Sequence, residues 1–234
     1  MQRKVIYYLI FLMLLALPVH GENATDYFNL GLKSTITRTK IKYYSKALAL
    51  DPNLVEAYKK RGHLYFFQEK YDSVIQDFQT YIRLAPKKAE AYRMLGMGYL
   101  KIRDYRSAIN NFTHAIEIEP DLSNSYAYRA EAYRLIGDYQ KATFDSSRAI
   151  ENWSDTIAVV EAYKTRSKVY WEIGRNEEAY VDHRKSVNLD PRIPRSWGRY
   201  PPIKYMRGMG LIVLIGLAVV LIFGLKFKPP DKDK

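Results

Sequence analysis

Three prolines, Pro52, Pro86 and Pro120, stand 34 residues apart, and between them the same residue types return in the same columns. An early aromatic recurs as Tyr58, Tyr92 and Tyr126, a small residue as Gly62, Gly96 and Ala130, and a second tyrosine as Tyr65, Tyr99 and Tyr133. The later half of each unit brings Val74, Ala108 and Ala142, then Phe78 and Phe112. One more unit follows after three extra residues, with Tyr163, Ser167, Tyr170, Ala179, His183, Ser186 and Pro191. A shortened first unit carries Tyr27, Leu30, Gly31, Tyr44, Ala47 and Pro52. A fixed period of this length restricts the chain to a stack of similar supersecondary units.

The spacing inside a unit is helical. Tyr92, Leu95, Gly96 and Tyr99 step by three, one and three, which places them on one helix face. Ala108, Phe112 and Ala115 step by four and three on a second helix. Ile102-Arg103-Asp104-Tyr105 and Ile136-Gly137-Asp138-Tyr139 read as tight turns between the two. Each closing proline ends the second helix, since inside it proline would lose a hydrogen bond and clash with the preceding turn. A helix pair of this size cannot bury its apolar stripe alone. It needs neighbours on both sides, which is why its apolar residues are dispersed rather than gathered in one run.

These columns resemble the tetratricopeptide repeat family over about residues 24–191, most closely from Tyr58 to Pro120. The match loosens in the fourth unit, where Ser146 and Ser154 replace an aromatic and a proline, and in the first, where Ser34 replaces an aromatic. The resemblance implies an all-α fold, a right-handed superhelix (α-solenoid) of about five helix-turn-helix units at 24–54, 55–88, 89–122, 123–159 and 160–191. It also implies that the first helix of each pair lines a concave groove that binds peptides or partner proteins. Some members grip the C-terminal carboxylate of heat-shock chaperones with a Lys, Asn and Arg set. Here Lys59 is followed by His63, Met94, Asn124 and Tyr128 in the corresponding positions, so that set is absent in this register.

If the superhelix holds, first-helix residues off the packing stripe face the groove. They are Lys59, His63 and Phe66, then Arg93 and Met97, then Ala127, Glu131 and Arg134, and last Lys164, Lys168 and Trp171. This face is mainly basic, and Phe66 and Trp171 add aromatic surface. It would favour an extended protein or peptide segment with acidic and apolar residues. Across residues 22–208 the chain is basic throughout, with 31 Lys and Arg against 23 Asp and Glu, so cations that merely solvate a helix surface are the competing explanation.

The ends of the chain read differently. Arg3 and Lys4 precede an apolar run from Val5 to Val19, which Pro18 breaks near its end, and Gly21 follows. This is the pattern of a secretory signal peptide cut after Gly21; an uncleaved signal anchor is the alternative. Gly208 to Leu225 are 18 residues without a charge, about 27 Å as a helix, which predicts one C-terminal transmembrane helix. Residues 192–207 form a basic and aromatic juxtamembrane linker, and 226–234 a short charged tail. Four Lys and Arg flank the span on each side, so charge does not set its orientation. With a working signal the repeats lie outside the cytoplasm; without one the protein is a cytosolic, tail-anchored adaptor.

Chemistry is absent from the pattern. Cysteine is missing, which excludes disulfides, thiolate metal sites and a cysteine nucleophile. His20, His63, His114 and His183 have no ligand-spaced partners, and no nucleophile elbow or phosphate-binding loop occurs. No enzyme activity, cofactor, metal or small-molecule substrate is expected. The net charge of +12 permits phosphate contact, but without an aromatic platform or known motif no nucleic-acid partner is expected. The reading is a membrane-anchored scaffold, or an accessory subunit of a membrane-associated enzyme complex. Sequons at Asn23, Asn111 and Asn152 matter only if the chain enters a eukaryotic secretory pathway.

Overall fold

The computed structural model describes residues 23–190 and Arg192. The leader at 1–21, the rest of the linker, the 208–225 segment and the tail lie outside the described residues. Among those described, all regular structure is helical, and no helix is long and apolar enough to cross a membrane.

Among the described residues ten helices follow one another in five pairs: α1 (Ala24–Lys33) and α2 (Thr37–Leu50), α3 (Val55–Phe67) and α4 (Tyr71–Leu84), α5 (Ala89–Lys101) and α6 (Tyr105–Ile118), α7 (Ser123–Leu135) and α8 (Tyr139–Glu151), α9 (Thr156–Glu172) and α10 (Asn176–Leu189). Each helix packs on the next in sequence, so the pairs stack into a solenoid.

Short polar side chains start several of these helices. Asn23 accepts from the Asp26 N–H while Asp26 accepts from the Asn23 N–H, a reciprocal capping box on α1. Asp104, Asp138 and Asp155 cap α6, α8 and α9 in the same sense. The turns inside the later units take a left-handed residue at one position, Glu69, Arg103, Gly137 and Gly174 in turn, with φ of 58°, 66°, 83° and 82°.

The core straddles the units. Val74, Phe78 and Tyr81 of the second unit cluster with Ala91, Met94 and Leu95 of the third. Ala108 and Phe112 of the third meet Ala132 of the fourth, and Tyr126, Ala127 and Ala149 of the fourth meet Ala158 and Ala162 of the fifth. The small columns permit this. A methyl group built on Gly62 would stand 2.7 Å from the Phe78 ring, and one on Gly96 would stand 2.8 Å from the Phe112 ring. Where the fourth unit has Ala130 in place of glycine, the facing column holds Ser146, and both are fully buried.

Helix α9 begins at Thr156, four residues ahead of the boundary read from the sequence at 160. The loop before it, residues 152–155, is as long as those at 85–88 and 119–122, so the three extra residues go into α9, which runs to 17 residues where α3, α5 and α7 each have 13.

Candidate functional site

The first helices α3, α5, α7 and α9 lie side by side and enclose an open cavity of about 390 Å³. Phe66, Met97, Leu100, Ala127, Tyr128 and Ile157 form its apolar lining, and Lys101, Glu131, Glu161 and Thr165 supply its polar groups. Phe66, Met97, Ala127 and Glu131 are residues the sequence places on the groove. Leu100, Lys101, Tyr128, Ile157, Glu161 and Thr165 join them in the folded chain. The extra turn of α9 brings Ile157 to the rim, and the three-residue insertion was its only trace in the sequence.

Of the remaining predicted groove residues, Lys59, His63, Arg134, Lys164 and Lys168 meet carboxylates, while Arg93 meets none among the described residues. Lys59 forms an ion pair with Glu90, and His63 Nε2 lies 3.2 Å from the same carboxylate. Glu90 is on the next first helix, so this cluster joins α3 to α5. The His63 hydrogen bond, with Lys59 behind it, overcomes the opposing effect of burial and lowers the Glu90 pKa to about 2. The His63 ring also meets Phe78 edge-on at 5.5 Å. Arg93 rests on the sulfurs of Met94 and Met97 at 3.8 and 3.6 Å.

A second cluster joins α7 to α9. Arg134 donates from Nε and Nη2 to both oxygens of Glu131 at 2.8 Å, and from Nη1 to Glu172 at 2.7 Å. Thr165 Oγ1 donates to Glu131 at 3.1 Å, and Lys168 stands 3.7 Å from it. Burial works to raise the Glu131 carboxyl; Arg134, Lys168 and Thr165 outweigh it and lower the pKa. Lys164 pairs with Glu161 at 2.7 Å. Trp171 is half-buried near the end of α9. The face that reads as mainly basic is thus a mixed surface: Lys59, Arg134, Lys164 and Lys168 each meet an acidic neighbour.

Behind the groove, one arrangement occurs three times. Arg61 donates from Nε and Nη2 to Asp77 at 2.9 and 2.6 Å, Arg129 to Asp145 at 2.7 and 2.9 Å, and Arg166 to Asp182 at 2.6 and 3.0 Å. The third arm of each guanidinium reaches back to the preceding unit, to Ser45, Thr113 and Ser147. Two tyrosines flank each arginine, Tyr58 and Tyr65, Tyr126 and Tyr133, Tyr163 and Tyr170, at 5.6 to 6.0 Å from ring centre to guanidinium carbon. The tyrosines are the aromatic columns of the sequence; the arginine and aspartate recur with them as Tyr-x-x-Arg-x-x-x-Tyr with Asp 16 residues after the arginine, in three units, a signal that apolar periodicity does not carry.

The histidines are dispersed. His114 Nδ1 lies 3.0 Å from Glu117 on exposed surface, and His183 is buried in the second helix of the last unit. Among the described residues no group of three or more His, Asp or Glu side chains is placed to hold a metal. All three sequons are built into the fold, Asn152 by donating to the Pro120 carbonyl and Ser154 by its bond to Ser123 at 2.8 Å. The Asn111 amide donates to the Ser107 carbonyl and Thr113 receives Arg129, while the Asn23 side chain caps α1.

Residues 89–122 and 111–144 match two models of the tetratricopeptide repeat, so repeats of this kind are present in that stretch. No curated protein matches the chain. Among solved structures, a crystal structure of MamA protein shares 24% identity, covers 78% of this chain and 100% of its own, and has a TM-score of 0.64. The 41-to-end portion of MamA from Desulfovibrio magneticus RS-1 shares 16%, covers 74% and 98%, and also gives 0.64. YrrB, described as a tetratricopeptide repeat protein with an unusual peptide-binding site, shares 20%, covers 74% and 90%, and gives 0.60. At these identities the likeness establishes the fold alone: an all-helical repeat solenoid, of about ten helices among the described residues.

Proposed function

We propose that this chain is a non-catalytic scaffold that holds an extended segment of a partner protein across α3, α5, α7 and α9. The 208–225 segment anchors it in a membrane, and the leader at 1–21 places the repeats outside the cytoplasm. One observation carries the binding reading: the cavity of about 390 Å³, whose apolar lining comes from four successive units. An apolar side chain entering it removes its surface from water, and this non-directional term supplies affinity. The groove cations Lys59, Arg134, Lys164 and Lys168 are engaged by Glu90, Glu131, Glu161 and Glu172, so an acidic ligand must exchange partners with them and gains little net energy. Charge therefore sets the register of the bound segment, and the cavity sets its strength. The peptide-binding site ascribed to YrrB supports this as an analogy of fold.

The test is capture of a stoichiometric partner by the full chain after mild detergent extraction. Met97→Asp should abolish capture with helicity unchanged, and capture that survives it sinks the groove reading. Topology is read separately. A mature chain that starts near Glu22 and is protected from protease in intact vesicles supports export; a chain that starts at Met1 and is digested from the cytosolic side overturns it.

A further inference from the structure

We propose that the edge of the solenoid bearing Trp153 and Ile157 lies on the surface of the lipid bilayer, so that the repeat stack is docked as well as tethered. This inference rests on the reading of 208–225 as a membrane span.

The three extra residues of the fifth unit, taken up at the start of α9, add Ile157 to this edge. At the two preceding junctions the prolines keep the 34-residue interval. Trp153 stands in the four-residue loop after α8 at 51% exposure, and the added turn of α9 leaves Ile157, which also borders the groove cavity, at 65% exposure. Neither serves the core, which α9 joins immediately afterwards through buried Ala158, Val159 and Val160. Leu50 and Ile118, at the ends of the equivalent second helices α2 and α6, are exposed on the same side.

The chain leaves the fold at this edge. Ile157 and Val160 share one open cavity of about 230 Å³ with Leu189, Asp190 and Arg192, the last residues described. Only residues 193–207 separate that point from Gly208, where the uncharged stretch begins. Fifteen residues reach at most about 50 Å when fully extended. A surface held this close is at high effective concentration, so two apolar side chains are enough to keep it docked. Tryptophan suits the place, because its ring sits at the headgroup level with an apolar body and a polar tip. Four carboxylates near this edge have partners within the protein: Asp155 accepts the Ile157 N–H at 2.8 Å, and Asp190, Glu161 and Glu151 are paired with Arg192, Lys164 and Arg148 at 2.8, 2.7 and 3.4 Å.

The experiment uses the full chain reconstituted in phosphatidylcholine–phosphatidylglycerol vesicles, with Trp171→Phe and Trp197→Phe leaving Trp153 as the only tryptophan. Bromine on the lipid acyl chains should quench its emission at least twofold relative to unbrominated vesicles, and Ile157→Ser should weaken that quenching. Unquenched Trp153 in protein that resists alkaline carbonate extraction overturns the docking and leaves the anchor standing. Extraction by carbonate overturns the span and the docking together. If Trp153 in native membranes is shielded from aqueous acrylamide but untouched by brominated lipid, a protein covers the edge and the proposal is wrong.

Discussion

Arg61 and Asp77 form a two-pronged ion pair between the helices of the second unit, with side-chain exposures of 18% and 5%. Arg129–Asp145 and Arg166–Asp182 repeat it. In the third unit the same columns hold Leu95 and Asn111, so both partners have changed together. The receiving hydroxyl follows the same logic: Ser45, Thr113 and Ser147 precede units with an arginine, and Gln79, which precedes Leu95, donates instead to the Tyr99 hydroxyl. A buried charge without its partner is costly, whereas an apolar replacement of the pair is close to neutral.

That asymmetry makes the first prediction. Arg129→Leu leaves Asp145 buried and unpaired, and should cost about 3–5 kcal/mol in chemical denaturation. Arg129→Leu with Asp145→Asn copies the third unit and should recover most of the loss. Burial already pushes the Asp145 carboxyl up against the pull of Arg129. Without Arg129 it rises further, so the folded state binds a proton that the unfolded state has released. The stability of the single variant should therefore increase as pH falls through the raised pKa toward the ordinary carboxylate range. A double variant as unstable as the single one contradicts the exchange.

Gly96 supplies the second prediction. On an exposed helix, glycine to alanine is worth about 1 kcal/mol in favour of alanine. Here the new methyl would stand 2.8 Å from Phe112, a fully buried ring. Overpacking of this kind costs about 1–3 kcal/mol and reverses the sign. Thermal unfolding should place Gly96→Ala below the parent. A stabilised Gly96→Ala would show that the ring gives way freely.

Much of this was legible because the repeat writes each packing decision several times. The helix pairs, the turns and the facing of Gly62 on Phe78 and Gly96 on Phe112 follow from columns of apolar and small residues. The Arg–Asp pairs escaped because a search for apolar periodicity passes over charges, even where they recur 16 residues apart. The mixed charge of the groove could not be read from one helix. Lys59 meets Glu90 and Lys168 meets Glu131 across neighbouring units, 31 and 37 residues apart. The cavity was half visible: Phe66 and Met97 follow from helix phase, but Ile157 depends on the turn that the insertion adds to α9.

The third prediction concerns a turn. Arg103 is exposed and adopts φ of 66°, at the position where Gly137 and Gly174 take 83° and 82°. A side chain in the left-handed region costs about 1–2 kcal/mol that glycine avoids, partly offset by glycine's freedom when unfolded. Arg103→Gly should raise stability by about 0.5–1 kcal/mol, measured as a higher denaturant midpoint at unchanged slope. A lower midpoint would mean that the arginine side chain contributes more than the strain it carries.

The last prediction tests the link between α3 and α5 through Glu90. Its pKa in the folded chain is about 2, below the ordinary 4.5, through His63 and Lys59. A carboxyl whose folded pKa is depressed stabilises the fold above its unfolded pKa, and the contribution disappears as pH falls from about 4.5 to about 2. The Glu90 side chain is 36% exposed, so solvent screening leaves about 1 kcal/mol of this effect. Glu90→Gln should lower stability at neutral pH by that amount and flatten the acid limb of the stability profile between those two pH values. Lys59→Met should remove part of the same slope, because His63 remains on the carboxylate. Profiles that run parallel for the parent and Glu90→Gln would show that Glu90 does not hold the two helices together through its charge.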